Sequence, residues 1–252
     1  MAARVDSLIE EADRLADDEQ FGEALAILTR VLARKTLTSA ERVQALMSRA
    51  SIYDERDEDG DHARALTDCA AALALDNKSP DILYLRSTIH QTAEDWRASR
   101  KDLDAAIALE TDPHADLYES RGLARYNLGD YRGARDDFAT AFAAHDRRGE
   151  DVEPRFHVYR GMAALLLDDA RAAVADFTNA LALAFDDAKA LAQRAKAHEA
   201  CGDPRAALAD LDRLHALIEP SPLLEAERAR LRAATSKPRK PPAKRATKRS
   251  KR

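Results

Sequence analysis

Tyr118-Glu-Ser-Arg-Gly-Leu-Ala-Arg-Tyr-Asn-Leu-Gly-Asp-Tyr-Arg-Gly-Ala-Arg-Asp-Asp-Phe-Ala-Thr-Ala-Phe142 reads as two helical patterns broken by a turn at Gly129-Asp130. The stretch from His157 to Leu181 repeats its skeleton. In both, a Gly (Gly122, Gly161) is followed twelve residues later by Ala (Ala134, Ala173), four further on by Phe (Phe138, Phe177), then three further by Ala (Ala141, Ala180). Residues three and four apart share one helix face, so this spacing describes two antiparallel helices that meet at small side chains.

Working outward, the composition agrees. Among 252 residues there are only 8 Gly and 9 Pro, with 5% aromatics and abundant Ala, which favours an all-helical chain over one containing strands. The longest apolar runs, Ala71 to Leu75 and Met162 to Leu167, fall far short of the ~18 residues that span a bilayer, so no membrane helix is expected and a membrane partner is disfavoured. The first residues lack the uninterrupted apolar stretch of a secretory signal, which predicts a cytoplasmic protein. Cys69 and Cys201 are too few and too far apart for a disulfide framework or a zinc motif, and Cys69 reads as a small buried hydrophobe.

The same skeleton can be followed along most of the chain. The small residues that anchor successive units are Ala12, Ala50, Ser87, Gly122, Gly161 and Ala195, matched by Ala24, Ala65, Ser99, Ala134, Ala173 and Ala207. The second pair needs three extra residues, which the acidic turn Glu58-Asp59-Gly60 supplies. Phe21, His62, Trp96, Tyr131, Ala170 and Pro204 follow the turns, three of them aromatic wedges.

This pattern resembles the tetratricopeptide repeat family, whose unit of about 34 residues carries small residues at its eighth, twentieth and twenty-seventh positions. The resemblance implies an α-solenoid, a right-handed superhelix of about six helix pairs, spanning 1–221 with units at about 5–38, 43–79, 80–113, 115–148, 154–187 and 188–221. A capping helix is predicted over 222–234, and a disordered Lys/Arg/Pro-rich tail over 235–252. His145 to Glu153 exceeds the repeat and is predicted as a polar loop that joints the stack.

Two constellations stand out. An Arg precedes the small residue in five units (Arg49, Arg86, Arg121, Arg160, Arg194), and an Asp recurs in the second helix of the same units (Asp68, Asp102, Asp137, Asp176, Asp210). Either the guanidinium groups form a ladder for anionic ligands, or each Arg is bound by its own Asp; the paired stoichiometry favours the second. The tail carries Lys237, Arg239, Lys240, Lys244, Arg245, Lys248, Arg249, Lys251 and Arg252 with no acid, leaving 31 cations against 45 acids in the rest of the chain. With three prolines and no large apolar residue it cannot fold alone. It is read as an arm for an anionic partner: nucleic acid phosphates, an anionic membrane, the acidic body itself, or a nuclear-import receptor.

For function, the resemblance implies a non-catalytic scaffold that binds a peptide or helix in a concave groove lined by first helices. The groove positions are Tyr84, Thr88 and Gln91; Glu119, Leu123, Tyr126 and Asn127; and Val158, Met162 and Leu165, with Leu165 and Leu166 alternatively packing under the joint. Asp6, Asp13, Asp17, Asp54 and Glu55 make the first end acidic. The Lys and Asn of the family's carboxylate clamp are absent from every unit, so an adaptor for chaperone tails is not expected. No Gly-rich phosphate loop, His-x-x-x-His or Ser/His/Asp arrangement is visible, so no catalytic residue, cofactor, metal or small-molecule substrate is expected. An adaptor that reaches nucleic acid mainly through its tail is the alternative reading.

Overall fold

The computed structural model describes residues 4–219 and 221–236, so the nine tail cations from Lys237 to Arg252 lie outside the described residues. Two compact units divide the chain, Met1–Val152 and Glu153–Arg252. The first holds α1 (Val5–Asp17), α2 (Phe21–Leu32), α3 (Ser39–Arg56), α4 (Asp61–Leu75), α5 (Pro80–Thr92), α6 (Trp96–Leu109), α7 (Ala115–Asn127) and α8 (Tyr131–Arg148). The second holds α9 (Pro154–Leu166), α10 (Ala170–Leu183), α11 (Ala188–Ala200), α12 (Pro204–Leu217) and α13 (Pro222–Ser236). Within each unit, consecutive helices pack as antiparallel pairs, the pairs stack, and first helices also touch one another, as α1 does α3 and α5 does α7. Among the described residues there is no strand, and no helix is long and apolar enough to cross a membrane.

The turns show why the helices stop where they do. Gly129 and Gly202 sit at φ 81° and 76°, in the left-handed region that ends a helix, and the next residue, Asp130 or Asp203, caps the following helix from its side chain. Glu94 and Asp168 adopt the same φ without being Gly, followed by the capping residues Asp95 and Asp169. A side chain there costs roughly 1–2 kcal/mol, so these turns are held by what surrounds them. At the N-terminus of α3, Thr38 and Glu41 form a reciprocal capping box.

The helix pairs cross at the small residues, and the volume there is balanced. A Cβ placed on Gly122 would lie 2.9 Å from the Phe138 ring, and one on Gly161 would lie 2.8 Å from Phe177. Where the anchor is instead Ala12, Ala50, Ser87 or Ala195, the residue facing from the second helix is the smaller Leu28, Cys69, Leu103 or Leu211. Large opposes smallest and medium opposes small, which keeps one crossing geometry at close packing. Burial pushes the Cys69 thiol up to about 12, in keeping with its packing role between Ala50, Ala65 and Ile89.

Beside each crossing, the Arg and Asp of five units pair. Arg86 donates Nε and Nη2 to Asp102 at 2.7 and 2.6 Å, Arg121 to Asp137 at 2.9 and 2.7 Å, and Arg194 to Asp210 at 2.9 and 2.6 Å. Arg49 and Asp68 do the same across 19 residues rather than 16, since the acidic turn lengthens that unit. The free edge of the fork then reaches back to the preceding pair: Arg49 to Thr29 at 3.3 Å, Arg121 to Asp104 at 3.0 Å, Arg194 to Thr178 at 3.1 Å. All five Arg residues, Arg160 with Asp176 included, tie their own pair together, and Arg49, Arg121 and Arg194 also tie it to the previous one, so the anion-ladder reading gives way to the structural one. α13 continues the register. It is the first helix of a seventh unit, and Arg228 reaches back to Asp212 at 2.8 Å.

Two expectations are corrected. α13 runs to Ser236 rather than 234, its Thr235 and Ser236 hydroxyls donating to Arg232 and Ala233 carbonyls. His145 belongs to α8 and is buried, so the predicted loop shrinks to Gly149–Glu153.

Replacing Gly122 by Ala forces the added methyl into Phe138 and is expected to cost about 1–3 kcal/mol. Phe138→Leu in the same chain is expected to recover part of that loss, giving a favourable coupling in a double-mutant cycle of urea midpoints. Additive losses would refute the volume balance. Asp61, fully buried at the start of α4, accepts from Arg56 at 2.7 and 2.8 Å, Arg64 at 2.6 Å and the Glu58 N–H at 3.2 Å. These partners, Arg56 foremost, hold its carboxyl down at about 2. A depressed carboxylate contributes stability above its unfolded value and loses it on protonation in the fold, so the contribution disappears between about pH 4 and pH 2. Asp61→Asn is expected to lower the urea midpoint at pH 7 and flatten the acid limb; parallel limbs in both proteins would contradict this.

Candidate functional site

The first helices of the first unit carry the candidate surface, and much of what faces along it is already engaged. Asp13 is hydrogen-bonded to Ser48 between α1 and α3. Thr92 donates to Asp54 at 3.4 Å between α5 and α3, and Gln91 donates to Ser99 at 3.1 Å and to the Ser120 carbonyl on α7 at 3.4 Å. The polar positions expected to contact a ligand therefore join neighbouring helices. Burial, with Asp17 and Glu10 nearby, pushes the Asp13 carboxyl above its ordinary value, and burial does the same to Asp54.

Of the other expected residues, Tyr84 opens onto a cleft, Thr88 donates to the carbonyl of Leu85 at 2.8 Å, and Leu123 is half-buried. Tyr126 stands beside Tyr131 with ring centroids 5.5 Å apart. Asn127, exposed, donates to the Leu123 carbonyl at 2.9 Å. Glu119 does not line an open groove: only 6% exposed, it meets His145 Nε2 at 2.9 Å. In the second unit Val158 is 2% exposed within the core, and Met162 and Leu165 pack against that core. Leu166 alone of that apolar run stands out, at 52% exposed.

Two of the open depressions among the described residues are the same structural place one helix pair apart. The first, about 600 Å³, lies between α3, the end of α4 and the start of α5, with Val43, Met47 and Leu75 as its apolar wall and Asp76 and Asp81 at its rim. The second, about 300 Å³, has Pro80, Tyr84 and Leu117 as its wall and Asp81, Glu110 and Asp116 at its rim. Met47 lies three residues before Ala50 and Tyr84 three before Ser87, so the crossing geometry sets both. Asp81 belongs to both depressions. One basic pair stands at the second, His114 Nδ1 against Arg148 Nη1 at 3.1 Å. The sequence reading missed Val43, Met47 and Leu75 because each depression is assembled from three separate segments.

No protein-family model and no curated relative matches the chain. Solved structures do. PilW, a type IV pilus biogenesis factor, is 18% identical with a TM-score of 0.71 over 88% of this chain and 97% of its own. A tetratricopeptide repeat protein from Parabacteroides merdae is 18% identical with a TM-score of 0.66, over 92% of this chain and 86% of that one. YrrB, a repeat protein with an unusual peptide-binding site, is 15% identical with a TM-score of 0.65, over 81% of this chain and 97% of its own. The fold is that of the tetratricopeptide repeat proteins.

Proposed function

We propose that the protein is a non-catalytic scaffold whose first unit binds a protein segment carrying two apolar side chains flanked by Lys or Arg. The observation that carries this reading is the repeated depression, an apolar wall under a rim of carboxylates, occurring twice in register with Asp81 common to both. Burying one Leu-sized side chain contributes about 1.5–3 kcal/mol, short of the ~4 kcal/mol of a millimolar complex, so both depressions must be filled together and the charged flanks must add to them. The rim carboxylates select cationic flanks and speed encounter, an effect that salt screens. The peptide-binding site of YrrB and the hetero-tetramer formed by Cut9 with Hcn1 show the same fold in protein recognition, which supports the reading. The nine cations of 237–252 add electrostatic contact to an anionic partner; in the alternative, that contact is with nucleic acid and is the main one.

A fluorescent peptide with two Leu residues set among Lys is expected to bind the full chain with an affinity that falls with salt. Its Glu-for-Lys twin is not. Asp81→Lys, which reverses the charge common to both depressions, is expected to weaken binding about tenfold or more, equivalent to at least ~1.4 kcal/mol. Deleting 237–252 is expected to leave peptide binding intact while abolishing retention of a single-stranded DNA oligonucleotide. Equal binding of the two peptides, or indifference to Asp81→Lys, would overturn the groove; loss of the peptide with the tail would favour the alternative.

A further inference from the structure

One step further along the series that gives the two depressions, the chemistry changes. Glu119 stands three residues before Gly122, as Met47 and Tyr84 stand before their own anchors, and His145 takes the place that Asp76 and Glu110 hold at the end of the second helix. Asp116 takes the place of Asp81. An apolar wall has become a carboxylate, and an acidic rim residue has become an imidazole. Among the described residues, Asp116, Glu119 and His145 form the one His-carboxylate group whose ligand atoms all lie within 4.8 Å of one another.

We infer that Asp116, Glu119 and His145 bind a divalent first-row transition ion of the zinc type, with Glu150 orienting the imidazole. Both ring nitrogens of His145 face carboxylates, Nδ1 to Glu150 Oε2 at 3.1 Å and Nε2 to Glu119 Oε1 at 2.9 Å. A neutral imidazole donates only once, so with Nδ1–H given to Glu150 the Nε2 lone pair is turned toward a carboxylate oxygen. That contact needs a proton between the two atoms, on the ring or on the carboxyl, or else a metal ion. The geometry accommodates the ion with little movement. Two donors each about 2.0–2.1 Å from a tetrahedral ion are about 3.3–3.4 Å apart, so Nε2 and Oε1, now 2.9 Å apart, would open by about half an ångström to admit it. A carboxylate holding the far nitrogen of a ligating His is the usual supporting arrangement at such sites. Glu119 and His145 are buried and fixed on α7 and α8, while Asp116 is exposed and can turn in to complete a three-ligand set, with water filling the remaining positions. One imidazole with two carboxylates suits zinc, iron or manganese rather than a thiolate-seeking ion. This cluster is not visible in the sequence because Glu119 and His145 lie 26 residues apart on two different helices.

Isothermal titration of Zn²⁺ into metal-stripped full-length protein is expected to show a single site. His145→Asn and Asp116→Asn are each expected to weaken it, with circular dichroism of both variants unchanged. Glu150→Gln is expected to weaken it about 10–100-fold while leaving the stoichiometry at one. Co²⁺ in the same site is expected to give visible bands without a thiolate charge-transfer band, which distinguishes it from adventitious binding at the exposed Cys201. Met47→Ala, in the first depression, is expected to leave the titration unchanged, so failure of the ion site and failure of the peptide groove are read separately. Absence of Zn²⁺ binding at millimolar concentration, or binding indifferent to His145→Asn and Asp116→Asn, would overturn the assignment and leave the cluster as an imidazole hydrogen-bonded on both sides.

Discussion

The closeness with which the two helices of a pair cross governs the rest of the molecule. At each crossing a small residue on the first helix admits a side chain from the second, and the sizes compensate: Gly122 with Phe138 and Gly161 with Phe177, but Ala50 with Cys69 and Ala195 with Leu211. With the crossing fixed, every neighbouring position acquires a fixed place in space. The Arg one residue before the anchor then meets the Asp of the second helix, and its remaining N–H group can reach the pair before. A three-residue insertion between α3 and α4 leaves the Arg49–Asp68 contact intact, because the turn absorbs it. The first pair lacks this link, having Glu11 and Ile27 at those positions, and packs instead through Ile9, Leu25, Leu28 and Val31.

Legibility in the sequence followed from how local each feature is. The small-residue spacing, the Gly-Asp turns and the Arg/Asp recurrence all lie within one helix pair, so one chain read against itself revealed them. The turns at Glu94-Asp95 and Asp168-Asp169 were harder, since the left-handed residue is not Gly there and only the capping Asp remains as a signal. The groove was read through the resemblance, which gives the face a residue occupies but not what it meets. Gln91 is on the expected face and is consumed by Ser99 and the Ser120 carbonyl; Val158 is on it and is core. His145 was placed in a loop because its polar followers, Asp146 to Arg148, look like one, whereas α8 continues through them and buries the imidazole.

Charge is distributed by the same rule. Pairing the recurring Arg with the recurring Asp neutralises both at the crossings, while Asp76, Asp81, Glu110 and Asp116, on turns and first helices, have no comparable ion pair among the described residues. These four carboxylates thus stand where helix ends leave apolar hollows. An exposed carboxylate in water costs little, but one beside an apolar wall is partly desolvated, and a cation brought there recovers the loss. That is a physical reason for a cationic partner that does not depend on any relative.

Asp116 stands at the meeting point of the two proposals, on the rim of the second depression and in the His145 cluster. A side chain turned in toward an ion is withdrawn from the rim, and one held at the rim by a partner's Lys is withdrawn from the ion. The two ligands would therefore oppose each other, and linkage requires the opposition to be reciprocal: whatever factor the ion takes from peptide affinity, the peptide takes from ion affinity. The first depression does not include Asp116 and would not feel the ion directly. A partner that engages both depressions would be loosened at one end only, so an ion at this site changes the span of the contact more than its existence.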